Sequence, residues 1–386
     1  MSRTSVALLG ATGSIGTQTL EVLRREPERF ELTSIAGGSG NLERLIEIAK
    51  EFGVNRIGVP TNACRDLVMT AMPGVSVLVG DEGLSELASS ADTVVNAVVG
   101  FAGLPVTLSA LEAGKRLALA NKESLIAAAP LVERVRHTPG AELLPIDSEH
   151  CAIHQALAGA SKAEGFPDVR RLVLTASGGP FRGWASEALD QVTKAQALAH
   201  PTWAMGPKIT IDSSTLMNKG LEVLEAAALF GIEVDRVDVV VHPQSIVHSM
   251  VEYVDGSVIA QLSKPDMRRP IAYCLGMPER LDHSWGAMDF QTPFSLEFLP
   301  PDTQNFPALT IAYEAARLGG AAPAWLSAAN EVAVAAFLND RISWRQIVET
   351  VAETLALYEP VTLTSLTELL AADKRAREVA TANLPR

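Results

Sequence analysis

The opening segment constrains the fold most. Val6-Ala7-Leu8-Leu9 is a short apolar run, Gly10-Ala11-Thr12-Gly13-Ser14-Ile15-Gly16 follows it, and a helical pattern runs from Thr17 to Arg25. A short continuous apolar run is the pattern of a strand buried on both faces. Glycines three apart let the chain turn sharply, bring backbone amides close to a ligand and pack the helix tightly on the strand. The spacing is GxxGxxG, a variant of the dinucleotide fingerprint, and its place between a strand and a helix predicts a nucleotide site. A purely structural tight turn is the alternative.

The same alternation continues. Strands are predicted at 30–36, 56–60, 75–79, 93–98, 116–120 and 143–146, with helical patterns between them. Strands alternating with helices predict a doubly wound parallel sheet, Rossmann-like, over residues 1–150. The second strand ends in Gly37-Gly38-Ser39-Gly40-Asn41. No Asp or Glu stands directly after it to take a ribose hydroxyl, which favours NADP over NAD; Arg44 is the nearest cation.

Two strand ends in this half carry polar clusters. Asn121, Lys122 and Glu123 follow one, and Asp147-Ser148-Glu149-His150 follows another. Ligands of open α/β sheets sit outside the carboxyl ends of the strands. If the 143–146 strand continues, Asp147 and Glu149 point to one side. Converging carboxylates repel unless a cation joins them, and Mg²⁺ or Mn²⁺ is the natural partner. His150 and His154, four apart on a predicted helix, offer a competing zinc reading. Cys151 is either a nucleophile at a helix start or a packed thiol.

The second region begins near 151. A strand at 171–176 is broken by Ser177-Gly178-Gly179-Pro180, a possible anion nest. Residues 181–207 are rich in loop signals and carry Trp184, Trp203 and Met205, a lid candidate. His200-Pro201-Thr202-Trp203 leads to the cluster Asp212-Ser213-Ser214-Thr215 and then to a helical pattern. On that helix Asn218 and Glu222 are four apart and Lys219 and Glu222 three apart, so the three share a face. Hydroxyls at a helix start, an ammonium and a carboxylate suit an anion and a cation held side by side. A capped surface helix with one ion pair is the bland alternative. Residues 237–251 and 256–262 are predicted strands around a turn at Asp255-Gly256, with His248 read as structural. Residues 281–306 have linker composition, and four helices, about 307–318, 323–338, 343–358 and 365–383, predict a bundle. Ser343–Gln346 and Ser365–Glu368 have the form of capping boxes.

Composition narrows the function. The chain has 386 residues, too many for one ordinary core, and a formal net charge of −13, which disfavours a nucleic-acid partner. Three scattered cysteines point to reduced thiols and the cytoplasm, and no apolar run is long enough to span a bilayer.

Taken together, GATGSIG at 10–16, ANKES at 120–124, IDSEH at 146–150, TASGGPFR at 175–182, HPTWAMGPKITIDSSTLMNKGLE at 200–222, HPQSIVHS at 242–249, PDMRRPI at 265–271 and AANEVAVAAFL at 328–338 resemble the 1-deoxy-D-xylulose 5-phosphate reductoisomerase family over essentially the whole chain. The resemblance implies an NADPH-dependent enzyme that needs a divalent cation (Mg²⁺, Mn²⁺ or Co²⁺). It would convert 1-deoxy-D-xylulose 5-phosphate to 2-C-methyl-D-erythritol 4-phosphate in the non-mevalonate isoprenoid pathway, as a homodimer. By the matching motifs, Asp147, Glu149 and Glu222 are the implied metal ligands. Ser177, Ser213, Asn218 and Lys219 are the implied phosphate cradle. Lys122, Ser148, His200 and His248 are implied substrate contacts, and Trp203 and Met205 implied lid residues. Lys122 and His200 join the three carboxylates as implied catalytic groups. Thr12, Gly13, Ser14, Ile15, Asn121 and Glu123 are implied NADPH contacts, with Gly37, Asn41 and Gly206 beside them. The implied architecture is a cofactor domain at 1–150, an α+β connective catalytic domain at 151–280, a linker at 281–306 and a C-terminal four-helix bundle at 307–386. The chain departs from the family at Gly38-Ser39-Gly40, where members often carry a Lys or Arg; Ser39, Asn41 or Arg44 would substitute toward the 2′-phosphate. The remaining alternatives are another Rossmann oxidoreductase of the semialdehyde-dehydrogenase type, which needs Cys151 as nucleophile, and a non-catalytic NADP- and phosphosugar-binding sensor.

Overall fold

A computed structural model describes residues 3–161, 163–203 and 205–385. The chain forms two compact units. Unit 1 comprises residues 1–124, 130–151 and 266–285; unit 2 comprises 125–129, 152–265 and 286–386.

Unit 1 holds seven parallel strands: β1 (Thr4–Leu9), β2 (Phe30–Ala36), β3 (Arg56–Val59), β4 (Ser76–Val79), β5 (Thr93–Asn96), β6 (Arg116–Leu119) and β7 (Glu142–Pro145). Their order is β4-β3-β2-β1-β5-β6-β7, so the winding direction reverses between β1 and β5. Val6, Leu8, Ile35, Ile57 and Val95 are fully buried, as expected of strands covered by helices on both faces. The helix Arg268–Gly276 comes from far along the chain and packs on the helix Ser14–Arg25. Ile271, Ala272, Cys274 and Leu275 join the same core as Leu20 and Leu23. Arg268 Nη1 donates to Glu21 Oε2 at 2.7 Å, and Arg116 Nη1 to the Met277 carbonyl at 2.7 Å. Residues 266–285 therefore belong with unit 1, not with the expected 151–280 and 281–306 segments. The apolar face of a short helix finds its partner in space, and linear boundaries do not record that.

Unit 2 holds a four-stranded sheet, β8 (Val169–Ala176), β9 (Val237–Val241), β10 (Val247–Tyr253) and β11 (Val258–Leu262), in the order β11-β10-β8-β9. β10 is antiparallel to both neighbours, and β8 is parallel to β9. The expected continuous strand at 237–251 is interrupted between β9 and β10. There His242 accepts from Ile246 N at 3.2 Å and Ser245 takes a positive φ of 50°. Four C-terminal helices follow: Ala308–Leu318, Ala322–Leu338, Trp344–Ala356 and Leu366–Asn383. Ser365 and Glu368 form the expected capping box. Among residues 286–306, Leu299 makes an antiparallel bridge to Val241, so this stretch is pinned to the sheet of unit 2.

Gly10 is required by its geometry. Its φ is +94°, and an added Cβ would lie 2.3 Å from the Ala97 carbonyl oxygen, a backbone atom that cannot move aside. Gly10→Ala is expected to cost about 3 kcal/mol from strain and clash together. Urea unfolding followed by circular dichroism reads this directly; a parent-like curve would show that the turn relaxes freely.

Candidate active site

In unit 1 the turn after β1 is built as a cradle. Gly10 N and Ala11 N both donate to the Ala36 carbonyl, at 3.0 and 2.9 Å, which ties the turn to the end of β2. Gly13 stands at the N-cap of the helix Ser14–Arg25 with extended backbone, no side-chain capping hydrogen bond is made there, and no acidic residue lies in the first turn. Its N-terminal amides therefore suit a pyrophosphate. Thr12, Ser14 and Ile15 stand at this end, with Gly13 and Ser14 exposed. Gly37 lies close to it: a Cβ there would meet Leu45 at 3.1 Å and Thr12 Oγ1 at 3.5 Å. Asn41 begins the helix Leu42–Phe52, and Arg44 Nη1 donates to Glu47 Oε2 at 2.9 Å.

Asn121 is bonded within its own loop. It is 2% exposed, and its amide nitrogen donates to the carbonyls of Val98 and Gly100, both at 2.8 Å, and to Glu123 Oε2 at 3.1 Å. Its Oδ1 accepts from Ser124 N at 2.9 Å, capping the helix Lys122–Val135. The side chain is thus engaged by the backbone around it and by the Glu123 and Ser124 side chains.

Lys122 Nζ bonds to Asp147 Oδ2, and His150 Nδ1 lies 3.3 Å from the same oxygen. Burial alone would raise the Asp147 carboxyl, yet the Lys122 ammonium and His150 hold it well below the usual carboxylate range. It stays ionised and able to coordinate. Ser148 Oγ donates to Glu149 Oε2 at 2.6 Å. The strand-alternation reading of Asp147 and Glu149 is corrected here. β7 ends at Pro145 and a helix, Ser148–Ala156, begins three residues on, so Glu149 lies in a helical first turn. The last bond of the ladder runs from Ile146 N to the Leu119 carbonyl at 2.8 Å, just before the chain turns into the helix. Cys151 is 2% exposed, which leaves a nucleophilic role without access.

In unit 2, Ser177 follows β8, and Gly178 and Gly179 both take positive φ. His200 Nδ1 accepts from the backbone amides of Thr202 and Trp203 at 3.1 and 2.9 Å. The proton therefore sits on Nε2, which is 3.1 Å from Ser177 Oγ and donates to it. Gly179 N donates to the same oxygen at 3.3 Å, leaving the Ser177 hydroxyl proton to donate onward. Burial pushes the His200 pKa down, so the ring is neutral at physiological pH. His248, 6% exposed, sits 2.9 Å through Nε2 from Ser263 Oγ, with the Trp203 ring centroid 6.4 Å from its own. The lid candidate contains two short helices, Ser186–Leu189 and Lys194–Ala197. Its first aromatics, Phe181 and Trp184, are anchored edge-on with Trp344 against the C-terminal helices, whereas Trp203 and Met205 are half-buried.

The polar cluster at 212–215 is not at a helix start, as expected, but at a helix end. Gly206-Pro207 opens the helix Pro207–Ser214, with Pro at its first position. Leu216, at a positive φ of 62°, breaks the path before the helix Met217–Phe230. Ser213 therefore closes one helix while Asn218 and Lys219 open the next. Asp212 is held by Asn330 Nδ2 at 2.7 Å and Lys208 Nζ at 2.8 Å, and Ser214 Oγ accepts from Trp344 Nε1 at 2.9 Å. Asn330 and Trp344 were not signalled by the sequence; only a polar residue inside the apolar 322–338 pattern hinted at the first. Lys219 and Asn218 both donate to Glu222. Lys219 is 4% and Glu222 1% exposed.

Comparison with known proteins now bears on these clusters. A family model described as 1-deoxy-D-xylulose 5-phosphate reductoisomerase matches residues 6–129, and one for the C-terminal domain of that enzyme matches 143–230. A model described as the DXP reductoisomerase C-terminal domain matches 262–379. The 1-deoxy-D-xylulose 5-phosphate reductoisomerase of Chlorobaculum tepidum is 50% identical over 380 residues, covering 97% of this chain and 98% of that one. The same-named protein of Xanthomonas axonopodis pv. citri is 50% identical over 379 residues, 97% of this chain and 95% of its own. Among solved structures, the Zymomonas mobilis reductoisomerase in complex with NADPH superposes with a TM-score of 0.92 at 41% identity over 99% of both chains. A DOX-P reductoisomerase in complex with NADPH, fosmidomycin and magnesium superposes with a TM-score of 0.91 at 42% identity, covering 99% of this chain and 98% of that one.

Proposed function

The chain belongs to the 1-deoxy-D-xylulose 5-phosphate reductoisomerase family, and from that premise we propose how its residues divide the family's reaction. It is an NADPH- and divalent-metal-dependent enzyme that isomerises and reduces 1-deoxy-D-xylulose 5-phosphate to 2-C-methyl-D-erythritol 4-phosphate. When bound, the cation supplies Lewis acidity toward substrate oxygens and NADPH supplies the hydride.

Thr12, Gly13, Ser14 and Ile15 hold the pyrophosphate end of NADPH, with Gly37, Asn41, Glu123, Gly206 and the Asn121 backbone beside it. Ser39, Asn41 or Arg44 takes the 2′-phosphate. The uncapped helix end at Gly13 and the enforced turn at Gly10 fit that group. Asp147, Glu149 and Glu222 hold the cation. Hard carboxylate oxygens suit Mg²⁺ or Mn²⁺, and Asp147 is kept ionised by its neighbours. Ser177, Ser213, Asn218 and Lys219 grip the phosphate, with the Ser177 hydroxyl oriented by the neutral His200 ring. Lys122, Ser148, His200 and His248 position the rest of the substrate, and Trp203 and Met205 exclude water. Remote phosphate binding supplies energy for orientation at the reacting carbons.

The observation that carries this reading is the burial of Lys219 and Glu222, at 4% and 1% exposure. A solvated surface helix does not hide both charges, because a buried pair is costly to desolvate. A homodimer forms part of the same reading: the edge strand β11 and the segment after it expose Val258, Ile259, Phe290 and Phe294, an apolar surface that self-association would cover. So does a cytoplasmic location. The three cysteines are buried and none forms a disulfide, and no helix among the described residues is long and apolar enough to cross a membrane.

The test follows NADPH absorbance. Oxidation is expected only with 1-deoxy-D-xylulose 5-phosphate and Mg²⁺ or Mn²⁺ present, and to stop on adding a chelator. Turnover indifferent to the chelator, or to omission of the sugar phosphate, would reject the reading.

A further inference from the structure

Four buried polar side chains in unit 1 are explained neither by packing nor by direct ligand contact. Asn96, Thr107 and Ser124 are fully buried and Asn121 is 2% exposed. Asn96 Nδ2 donates to Thr107 Oγ1 at 2.9 Å, and Thr107 Oγ1 donates to Ser124 Oγ at 2.9 Å. Ser124 Oγ donates to Asn121 Oδ1. Asn121 Nδ2 donates to the Val98 carbonyl at 2.8 Å, and Val98 N returns the chain to Asn96 Oδ1 at 3.2 Å. The five groups close a ring. Each hydroxyl accepts one bond and donates one within the ring, and Asn96 Nδ2 also donates to the Gly103 carbonyl at 2.8 Å; losing the Thr107 hydroxyl removes one bond from Asn96 and one from Ser124, both buried.

The ring ties together the ends of β5 and β6, next to the point where the winding of the sheet reverses between β1 and β5. It fixes the 97–103 segment, which backs the Gly10 turn through Ala97. It also fixes the cap of the helix whose first residue is Lys122. Open α/β sheets bind their ligands at this reversal.

We propose that the Asn96–Thr107–Ser124–Asn121 ring is a positioning device for NADPH, in which Thr107 and Ser124 touch no ligand but set the backbone that does. This rests on the nucleotide site being the one assigned above. Thr107→Val keeps the side-chain volume and deletes the relay, whereas Thr107→Ser keeps the hydroxyl.

Three readouts decide it: NADPH affinity by fluorescence titration of the substrate-free protein, the KM of each substrate, and the thermal midpoint. Thr107→Val is expected to weaken NADPH binding roughly tenfold and raise its KM in parallel. The KM of the sugar phosphate should rise clearly less, by about threefold at most through the Lys122 end of the capped helix, and Thr107→Ser should restore NADPH affinity. Ser124→Ala interrupts the same ring and gives the same split should Thr107→Val not fold. The proposal is overturned if both variants bind NADPH like the parent, if both KM values move together, or if Thr107→Ser is no better than Thr107→Val. A parent protein that fails to bind NADPH would instead overturn the nucleotide assignment beneath it.

Discussion

Glu222→Gln is expected to lower kcat by roughly 10²–10³-fold or more, the scale on which preorganised charge stabilisation is lost from a water-excluded site. The substitution keeps the shape and removes the charge. Glu222 is almost fully buried and receives bonds from both Asn218 and Lys219, so Gln still fits the space but neutralises a ligand the cation needs. It also removes the negative charge that Glu222 sets against the buried Lys219 ammonium, which lowers stability. A fall in thermal midpoint is therefore part of the expectation, and activity is compared at a temperature where both proteins are folded. The deciding measurement is the rate as a function of Mg²⁺ concentration. The variant should need far more Mg²⁺ for whatever rate remains. Near-parental turnover at limiting Mg²⁺ would remove Glu222 from the ligand set.

Lys219→Ala tests the other end of the substrate. A charge-assisted bond from a buried ammonium to a phosphate contributes about 2–3 kcal/mol, so KM for the sugar phosphate should rise roughly 30- to 150-fold. NADPH affinity should change little, because Lys219 is assigned to the substrate phosphate and not to the nucleotide. An unchanged KM for the sugar phosphate would place the phosphate elsewhere. Equal weakening of both ligands would point to general loosening of the 217–230 helix instead.

The strands and long helices were legible because their hydrophobic period is a local property. β1, β2 and the four C-terminal helices fall within a few residues of the pattern that announced them. The glycine turn after β1 was legible too, since glycine is the residue a φ of +94° demands. Three features were not legible. The break at Leu216 uses left-handed backbone at a leucine, which no propensity signals; the surrounding packing imposes it. The 207–214 helix was hidden because Asp, Ser and Thr read as a cap or loop. In the fold the Ser214 and Thr215 hydroxyls bond back to the Ile211 carbonyl and sustain a helical path to its end. Asn121 was assigned to the cofactor by motif, and only the folded chain reveals that its amide brackets the backbone. Of the candidate site, the family motifs were readable in the sequence. What each side chain bonds to was not, because partners such as Asn330 for Asp212 lie 118 positions away.

The return of residues 266–285 to unit 1 governs how this protein can be taken apart. A fragment ending at residue 150 would carry all seven parallel strands and the complete glycine turn. It would lack Ile271, Ala272, Cys274 and Leu275, which cover the helix that the turn begins. That fragment would leave an apolar groove beside its own nucleotide site and would tend to aggregate. The remaining fragment would carry the 268–276 helix with no core to bury it. Neither half is a module that recombination could lend to another protein intact. Each unit is assembled from three separate stretches of sequence, so the two must be inherited, synthesised and folded as one chain.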